Sequence, residues 1–451
     1  MLDSFAVFLF VALVTTVGAF FPSIALAVFL FFVLLFPKLP LIQIQGYLVP
    51  IRIEDILLVS ALVALLIRRY FIRNERVFNP LRKWMALYLA TSAVSLVFGL
   101  VILHTIPAAK IGFLFWLRTP EYFAASYLCL LGIENWKQYK RILAVFVLFS
   151  FLIGVYGILQ EFSMVPAFDA MHQTDELVVI RFLSGFAEER LFSTFAGPYD
   201  LAAFYLIAIP IFLAWFLVAA SKAMKAGLVV VLAISLLCFY LAYARTPLVA
   251  LGLGLFVCAW SMGYRRVGLI LAPIAVLPAI LFGEFADRLS EAASDPLASS
   301  ALGIRFDTSW LDAMASLFRS PLLGTGPASL GDAVGVDGLY VLLLGTGGVC
   351  GLVCFMLLVA KAMRFQKRCI RGSENKLQKA LALGLFAGTI ALLLNGITQD
   401  TFFNSKVAFT YWFLMGLLFV GRRLEERSLR AERAFVASPI VQTAAGEAQL
   451  A

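Results

Sequence analysis

The sequence predicts an all-α polytopic membrane protein with about 12–13 transmembrane helices and two sizeable external loops. Hydrophobic residues make up 62% of the 451 residues and charged residues only 14%, and the mean hydropathy is +0.95. These values lie far outside the usual composition of soluble domains. Apolar segments of about 20 residues, the length that crosses a bilayer as a helix, fill most of the chain. We therefore expect one membrane domain over residues 1–422 and a cytoplasmic tail over 423–451 whose end is disordered.

The distribution of Lys and Arg predicts which loops face the cytoplasm. Twenty-five of the 36 Lys and Arg residues lie in alternate loops, at 68–83, 137–141, 222–225, 265–266, 361–379 and 422–433. Cytoplasmic loops of membrane proteins carry such an excess, so the remaining loops are predicted to face outward. The net charge of +9 therefore reflects orientation in a membrane and does not indicate nucleic-acid binding.

Residues 4–37 are apolar over too great a length for one straight span, and Phe21-Pro22 interrupts them. Two short helices in a hairpin or one kinked helix would fit, with the N-terminus outside or inside accordingly. An external loop, PKLPLIQIQGYLVPIRIED, follows. Further spans are predicted at 56–67, 84–103, 112–132, 142–160, 201–220, 228–242, 247–262, 267–282, 338–360, 379–398 and 405–421. In the span at 112–132, Arg118 and Glu121 can pair at i, i+3, either as an interfacial snorkelling pair or as part of a binding site.

Two polar intervals, at 161–198 and 283–337, are predicted to be external loops, and loops of this length commonly carry function. The first contains His172 and ends in Glu188, Glu189 and Arg190. The second contains a PLLGTG turn at 321–326, expected to leave backbone N–H groups free. From Ser299 onward it also contains six charged residues: Arg305, Asp307, Asp312, Arg319, Asp332 and Asp337. The cysteines show no metal-ligand spacing, and the sequence contains no nucleotide-binding or nucleophile motif. No metal or cofactor is therefore predicted.

Three arginines, Arg190, Arg245 and Arg305, reach the predicted outer face from different parts of the chain. Arg245 lies between two spans with almost no loop, where a buried cation is costly unless an anion meets it. Guanidinium groups bind phosphate oxygens bidentately and can stabilise a departing diphosphate. Few nucleotides occur on that face, so we expect a lipid pyrophosphate. Asp337 can accept a proton from an attacking hydroxyl, or it can serve as a structural partner of Arg305.

Four sequence blocks resemble the O-antigen ligase and repeat-unit polymerase superfamily of bacterial surface-polysaccharide assembly. They are RLFSTFAGPYDLAAFYLIAIP from Arg190, YARTPLVALGLG around Arg245, RFDTSWLDAMASLFRSPLLGTGPASL from Arg305 and VDGLYVLLLGTGGVCGL around Asp337. The resemblance implies a GT-C-like fold in the bacterial inner membrane, with a periplasmic active face. Ligases of this family typically bear His-Asn where this chain has Asp337-Gly338, so the chain resembles the exopolysaccharide polymerase branch more closely.

The resemblance implies a polymerase that acts without metal or nucleotide sugar. It would transfer a growing glycan from undecaprenyl pyrophosphate to a hydroxyl of the next lipid-linked repeat unit. Arg190, Arg245 and Arg305 would bind the pyrophosphate, and the catalytic set would be Asp337, Arg245 and Arg305. A ligase that transfers glycan to lipid A core or protein, and a lipid-linked glycan transporter or flippase, are the alternatives. The expected partners are the lipid-linked oligosaccharide, membrane lipid, a chain-length regulator and a flippase, and no nucleic acid.

Overall fold

The computed structural model describes residues 4–37, 40–44, 47–72, 78–169, 179–181, 183, 190–266, 268–270, 273, 310–330 and 338–436. Within these ranges the chain forms thirteen α-helices and two short antiparallel β-hairpins. The helices are α1 Ser4–Phe20, α2 Pro22–Leu34, α3 Ile53–Ile72, α4 Arg82–Val101, α5 Ala109–Gly132, α6 Trp136–Glu161, α7 Pro198–Val218, α8 Lys222–Leu241, α9 Arg245–Ser261, α10 Leu311–Arg319, α11 Leu339–Gly372, α12 Lys376–Asn395 and α13 Ser405–Val436. The strands pair as β1 (Pro40–Ile44) with β2 (Tyr47–Arg52) and β3 (Ala167–Asp169) with β4 (Val179–Arg181).

Seven of the described helices are long and apolar enough to cross a membrane, namely α4, α6, α7, α8, α11, α12 and α13. Helices α2 and α9 and the second half of α1 are apolar but shorter. The prediction of an all-α multi-pass membrane protein is therefore confirmed. The two β-hairpins lie in segments that were predicted to be external loops, where runs such as YLVPIR favour extended backbone.

The predicted spans within the described residues each correspond to a helix, and most of these helices begin a few residues earlier. Helices α11 and α13 differ most, because they continue to Gly372 and Val436 with charged residues at helical spacing. Arg422 and Glu426, for example, form an i, i+4 ion pair at 3.0 Å. Helix α13 therefore crosses the expected domain boundary at 422–423 without a break. Most of the predicted span at 267–282, and the expected disorder after residue 436, fall outside the described residues.

The first two helices form a hairpin, which excludes the single kinked helix. A Cβ on Gly18 would lie 3.4 Å from Ala25 Cβ, a distance that seven residues of continuous helix, about 10 Å long, could not give. At the bend, Arg68 at the far end of α3 donates to the Ala19 carbonyl oxygen at 2.8 Å. The start of α1 and the end of α2 thus lie at the predicted outer end of the bundle.

Helices α7 and α12 pack with their backbones in unusually close contact at the centre of the bundle. Helix α12 carries the sequence Gly384-Leu-Phe-Ala-Gly388, a GxxxG pattern that lets neighbouring helices approach. A Cβ on Gly384 would lie 2.4 Å from Ile211 Cα, and one on Gly388 would lie 3.1 Å from Ile207 Cα. From Gly384 to Gly388 the residue number rises by four along α12, while that of the contacted residue in α7 falls by four. The two helices are therefore antiparallel, and these contacts fix their register.

The turn at 321–326 inserts beside a break in α11 instead of lying free. Gly348 interrupts α11 with φ 61° and ψ −166°. On either side of this break the turn and the helix exchange backbone hydrogen bonds, from Thr325 N to Gly345 O at 3.0 Å and from Val349 N to Pro321 O at 2.9 Å. The expectation that this turn leaves its N–H groups free is therefore wrong at Thr325, and also at Gly326, whose N–H binds the Thr346 carbonyl oxygen.

Helix α4 and the segment that follows it also bind the turn through two hydroxyl groups. The Ser95 hydroxyl lies 2.6 Å from both the Leu323 and Thr346 carbonyl oxygens, and Thr105 donates to the Thr325 carbonyl oxygen at 2.7 Å. Because Ser95 is six residues before the end of α4, the part of the turn at Leu323 lies about 9 Å below that end. Irregular backbone at such a depth is tolerated only when protein groups satisfy its hydrogen bonds, as they do here.

We expect Gly384→Ala to destabilise the protein by about 1–3 kcal/mol, because the new methyl group would overlap the α7 backbone. Gly227→Ala in α8 is the matched control, since a Cβ there meets nothing within 4 Å. The control should be neutral or stabilising by up to about 1 kcal/mol through helix propensity. Thermal unfolding of both variants in detergent tests this, and equal melting temperatures would contradict the packing argument.

Candidate functional site

Arg190 lies at the predicted outer end with a neutral partner. Its Nη1 donates to the Tyr199 hydroxyl at 2.9 Å, and its Cζ lies 5.6 Å from the centre of that ring. The side chain is half-buried and, among the described residues, forms no ion pair with a carboxylate. The following N–H, of Leu191, donates to the Leu241 carbonyl oxygen at the end of α8. Arg190 is thus held against the α8–α9 turn by neutral groups, and no carboxylate of the described residues is paired with its positive charge.

Arg245 is the first residue of α9 and is half-buried. A tight turn precedes it, in which Tyr243 adopts a left-handed φ of 47°. Helix α9 is parallel to α7, because both begin at the predicted outer end, where the Leu191 N–H joins the segment before α7 to the end of α8. Gly254 and Cys258 both contact Pro210, with Cys258 Sγ 3.5 Å from its carbonyl oxygen. Gly254 and Pro210 are in contact, so residues nine positions before each of them lie at the same level. These residues are Arg245 in α9 and residue 201 in α7. Arg245 therefore lies at the same depth as the first turn of α7.

The outer end of α12 reaches the same place. Seven residues beyond Gly388 and seven before Ile207 lie Asn395 and Asp200, so the α7–α12 register puts these two at one level. The Leu339 N–H, at the start of α11, donates to the carbonyl oxygens of Gly396 and Gln399 just after α12, at 2.8 and 3.1 Å. We call this region, containing Arg190, Asp200, Arg245, Asn395 and the Gly338-Leu339 start of α11, the convergent end.

Two of the four predicted site residues, Arg305 and Asp337, fall outside the described residues, as do His172, Glu188, Glu189, Asp307 and Asp332. Their described neighbours reach the convergent end. Gly338, which follows Asp337, has φ 116° and caps α11, and a Cβ on it would lie 3.1 Å from the Ile397 carbonyl oxygen. The same Cβ would lie 3.5 Å from Nε1 of Trp310, five residues after Arg305.

Two buried polar side chains near the convergent end have no hydrogen-bond partner within the described part of the chain. Asn395 is fully buried, and neither Oδ1 nor Nδ2 is bonded. Glu161, the last residue of α6, is 2% exposed, and neither carboxylate oxygen is bonded. It lies level with Leu241, because Gly154 contacts Ile234 and Gly157 contacts Cys238 in the parallel helix α8. Unsatisfied buried polar groups are rare and mark positions where water or a ligand group is expected.

Sequence reasoning missed an ion-pair cluster at the outer ends of α3 and α5, formed by Arg52, Glu54, Asp55, Arg118 and Glu121. Arg118 Nη1 lies 2.7 Å from Asp55 Oδ1 and 3.3 Å from Glu121 Oε2. The predicted pairing of Arg118 with Glu121 is therefore confirmed. Both side chains are only 16% exposed and are joined to a third charge, so the pair does not snorkel to the lipid interface.

The ion-pair cluster also binds α13. Arg52 donates to the Ser405 hydroxyl at 2.8 Å and lies 3.8 Å from Glu54, while its backbone N–H donates to Asp55. Because carboxylates already neutralise these arginines, the cluster is less suited to binding an added anion than Arg190 is. The signal that could have revealed it was the run Arg52-Ile-Glu54-Asp55 at the edge of an apolar span, where charges are costly unless paired.

A second missed residue is Lys406, which is only 2% exposed. Its ammonium group donates to the carbonyl oxygens of Leu34, Phe36 and Thr194 at 3.3, 2.9 and 2.7 Å, and lies 4.9 Å from the Phe195 ring centre. A cation is favourable at the C-terminus of α2, where helix carbonyls lack partners. Lys406 thus ties α2 and the segment after Arg190 to α13.

No protein-family model and no curated protein sequence matches the chain. A proposal for the function must therefore rest on the structure. One end of the multi-pass bundle contains four charged or polar groups, namely Arg190, Asp200, Arg245 and Asn395. Such an arrangement can bind an anionic group presented at the membrane surface, because within the described ranges no carboxylate is paired with Arg190. It holds no described group of three metal-ligating side chains within the ranges given above.

We expect Lys406→Met to destabilise the protein by about 3 kcal/mol or more, since three carbonyl oxygens lose their donor and each unsatisfied buried group costs about 1–3 kcal/mol. Lys379→Met, at an exposed position near the start of α12, is the matched control. Thermal unfolding in detergent measures both. Equal stability of the two variants would mean that other donors can replace the ammonium group.

A double-mutant cycle with Asp55→Asn and Arg118→Gln should give a coupling energy of about 1.5–3 kcal/mol, as for a charged hydrogen bond shielded from water. The exposed pair Arg422–Glu426 provides the reference cycle, because its side chains are 32% and 47% exposed. We expect about 0.3–0.5 kcal/mol there. Chemical unfolding of each set gives the two values, and a coupling no larger than the reference would remove the proposed structural role of the cluster.

Proposed function

We propose that this protein is a glycosyltransferase that polymerises lipid-linked oligosaccharide repeat units, with a GT-C-like arrangement in the bacterial inner membrane. Its active face is the periplasmic one, at the convergent end. The observation that carries the proposal is the meeting of three separate sequence blocks, those around Arg190, Arg245 and Gly338, at the outer end of α7, α9 and α12. The resemblance of these same blocks to the O-antigen ligase and polymerase superfamily supports the choice of substrate.

The charge of Arg190 supports a diphosphate ligand. Tyr199 orients the guanidinium group without neutralising it, so the group can still meet phosphate oxygens. Arg245, at the same depth, and Arg305 would add further donors. A pyrophosphate fixed to a membrane lipid is presented at this level of the bilayer, whereas a soluble nucleotide is not.

In the proposed reaction, a hydroxyl oxygen of the incoming repeat unit attacks the anomeric carbon of the growing glycan. The bond from that carbon to the pyrophosphate oxygen breaks, and the diphosphate leaves with the electron pair. Arg190, Arg245 and Arg305 stabilise the charge that develops on the leaving group. Asp337 accepts the hydroxyl proton or orients the hydroxyl. The required partners are the undecaprenyl-pyrophosphate-linked oligosaccharide and membrane lipid, with a flippase and a chain-length regulator acting beside the enzyme.

The broken helix α11 favours transport as a second candidate function, because discontinuous helices line the substrate sites of many transporters. Here the protein's own turn at 321–326 fills the break and satisfies its backbone groups, which argues against an open passage. Purified protein in vesicles distinguishes the candidates. A ladder of glycan lengths from the lipid-linked repeat alone indicates a polymerase, product only with a lipid A core or protein acceptor indicates a ligase, and lipid movement without a change in glycan length indicates a transporter.

We expect Arg245→Ala to lower the rate of polymer formation by about 10²–10³-fold, the usual cost of losing one donor to a developing negative charge. Arg305→Ala should behave in the same way, and Arg190→Lys should retain more activity than Arg190→Ala because it keeps the charge. Polymer length in cells and rates with purified protein measure these effects.

The control for this series is Arg319→Ala, on an exposed face of α10. It should leave both polymer length and protein amount unchanged. Normal polymer from Arg245→Ala at a normal protein level would refute the assignment of Arg245 to the pyrophosphate.

A further inference from the structure

Helix α10 has three distinct faces. Leu311, Met314 and Phe318, at i, i+3 and i+7, share one face and are 52%, 40% and 82% exposed. Asp312 and Arg319, also seven residues apart, form a second, polar exposed face. The third face is packed against protein, because Ala313 is 1% exposed and a Cβ on Gly345 of α11 would lie 3.2 Å from its Cβ.

We propose that α10 lies within the outer leaflet against α11, with Leu311, Met314 and Phe318 inserted among lipid acyl chains and Asp312 and Arg319 facing water. A helix lying at an interface needs an apolar face and a polar face side by side, and the remaining face of α10 is taken by α11. The proposal does not depend on the enzymatic function and concerns a segment that the sequence places in an external loop.

The turn at 321–326, which follows α10, limits how far α10 can lie from the membrane. The turn at 321–326 begins two residues after Arg319 and binds Ser95, about 9 Å below the outer end of α4. A helix joined so closely to a turn at that depth cannot extend far from the bundle. Helix α10 therefore lies close to the membrane surface and not out in the aqueous loop region.

The surface around α10 indicates that its apolar face meets lipid and not another protein domain. Leu322, just after α10, is 65% exposed. On α11, Val349 and Val353 are 44% and 48% exposed, and on α4, Val97 is 58% exposed. Helices α4 and α11 are long enough to cross the membrane, so these aliphatic side chains are expected to face lipid. Leu322 lies three residues after α10, so this apolar surface adjoins the end of α10.

Removal of this face from water is energetically favourable. The gain grows with the apolar area that leaves water, and these three side chains are half-exposed or more exposed. The gain is lost if these side chains stay in water. Lipid acyl chains remove them from water, and no ordered protein partner is needed.

Spin labels at single cysteines test the proposal, with the full chain in vesicles of phosphatidylethanolamine and phosphatidylglycerol and with the six native cysteines replaced. The label is placed in turn at Leu311→Cys, Met314→Cys, Phe318→Cys, Asp312→Cys and Arg319→Cys. Collisions with oxygen, which concentrates in lipid, and with a water-soluble nickel chelate are measured. We expect the oxygen-to-nickel collision ratio at positions 311, 314 and 318 to exceed that at 312 and 319 severalfold.

Two results would overturn the proposal. A ratio at 318 equal to that at 312 would place the apolar face in water. Protection of 311, 314 and 318 from both reagents would mean that a second copy or another protein covers them. If a label unfolds the protein, Phe318→Trp in brominated lipid gives a second measurement. Its added fluorescence should be quenched, and unquenched added fluorescence would also refute lipid contact.

Discussion

The close backbone contact between α7 and α12 is the constraint on which the rest of the structure depends. Gly384 and Gly388 admit the α7 backbone where any side chain would overlap it. This contact fixes the register of two largely buried helices, and hence the level at which Asp200 and Asn395 stand. Through Gly254, α9 joins the same pair and brings Arg245 to that level. The geometry of this polar end therefore depends on two glycines that lie deeper in the bundle. At about 1.5 Å per residue, Gly388 and Gly384 lie some 10–17 Å below Asn395.

The break in α11 shows how the bundle accommodates irregular backbone inside a membrane. A helix interrupted at Gly348 would leave peptide groups unsatisfied in lipid, which costs several kcal/mol per group. The turn at 321–326 supplies partners from one side, and the Ser95 hydroxyl of α4 supplies a donor from another. The described part of the loop that contains Arg305, residues 310–330, is consequently bound to α4 and α11. Trp310 and Gly338, the described neighbours of Arg305 and Asp337, contact each other at the start of α11.

The charged residues at the outer end fall into two groups with different consequences. Arg118 and Asp55 neutralise each other, and Lys406 is saturated by carbonyl oxygens, so these groups hold α2, α3, α5 and α13 together. In the part of the chain that the structure describes, Arg190 is held by a phenol instead of a carboxylate, which leaves its charge for another anion. This distinction cannot be read from the composition, in which all arginines are equivalent. The partner of each arginine shows whether it holds helices together or can bind an anion.

The sequence by itself determined the membrane class, the approximate position of each described span and the Arg118–Glu121 pairing, because these depend on local hydropathy and on spacing along one helix. It could not choose between a hairpin and a kink at Pro22, or find the partners of Arg52 and Lys406, because residues distant in sequence make those contacts. The turn at 321–326 was misjudged for the same reason: its N–H groups bind a helix some 20 residues further along the chain. Only the tertiary structure decided which arginines are neutralised, since the pairing of charges depends on which helices the small residues allow to meet.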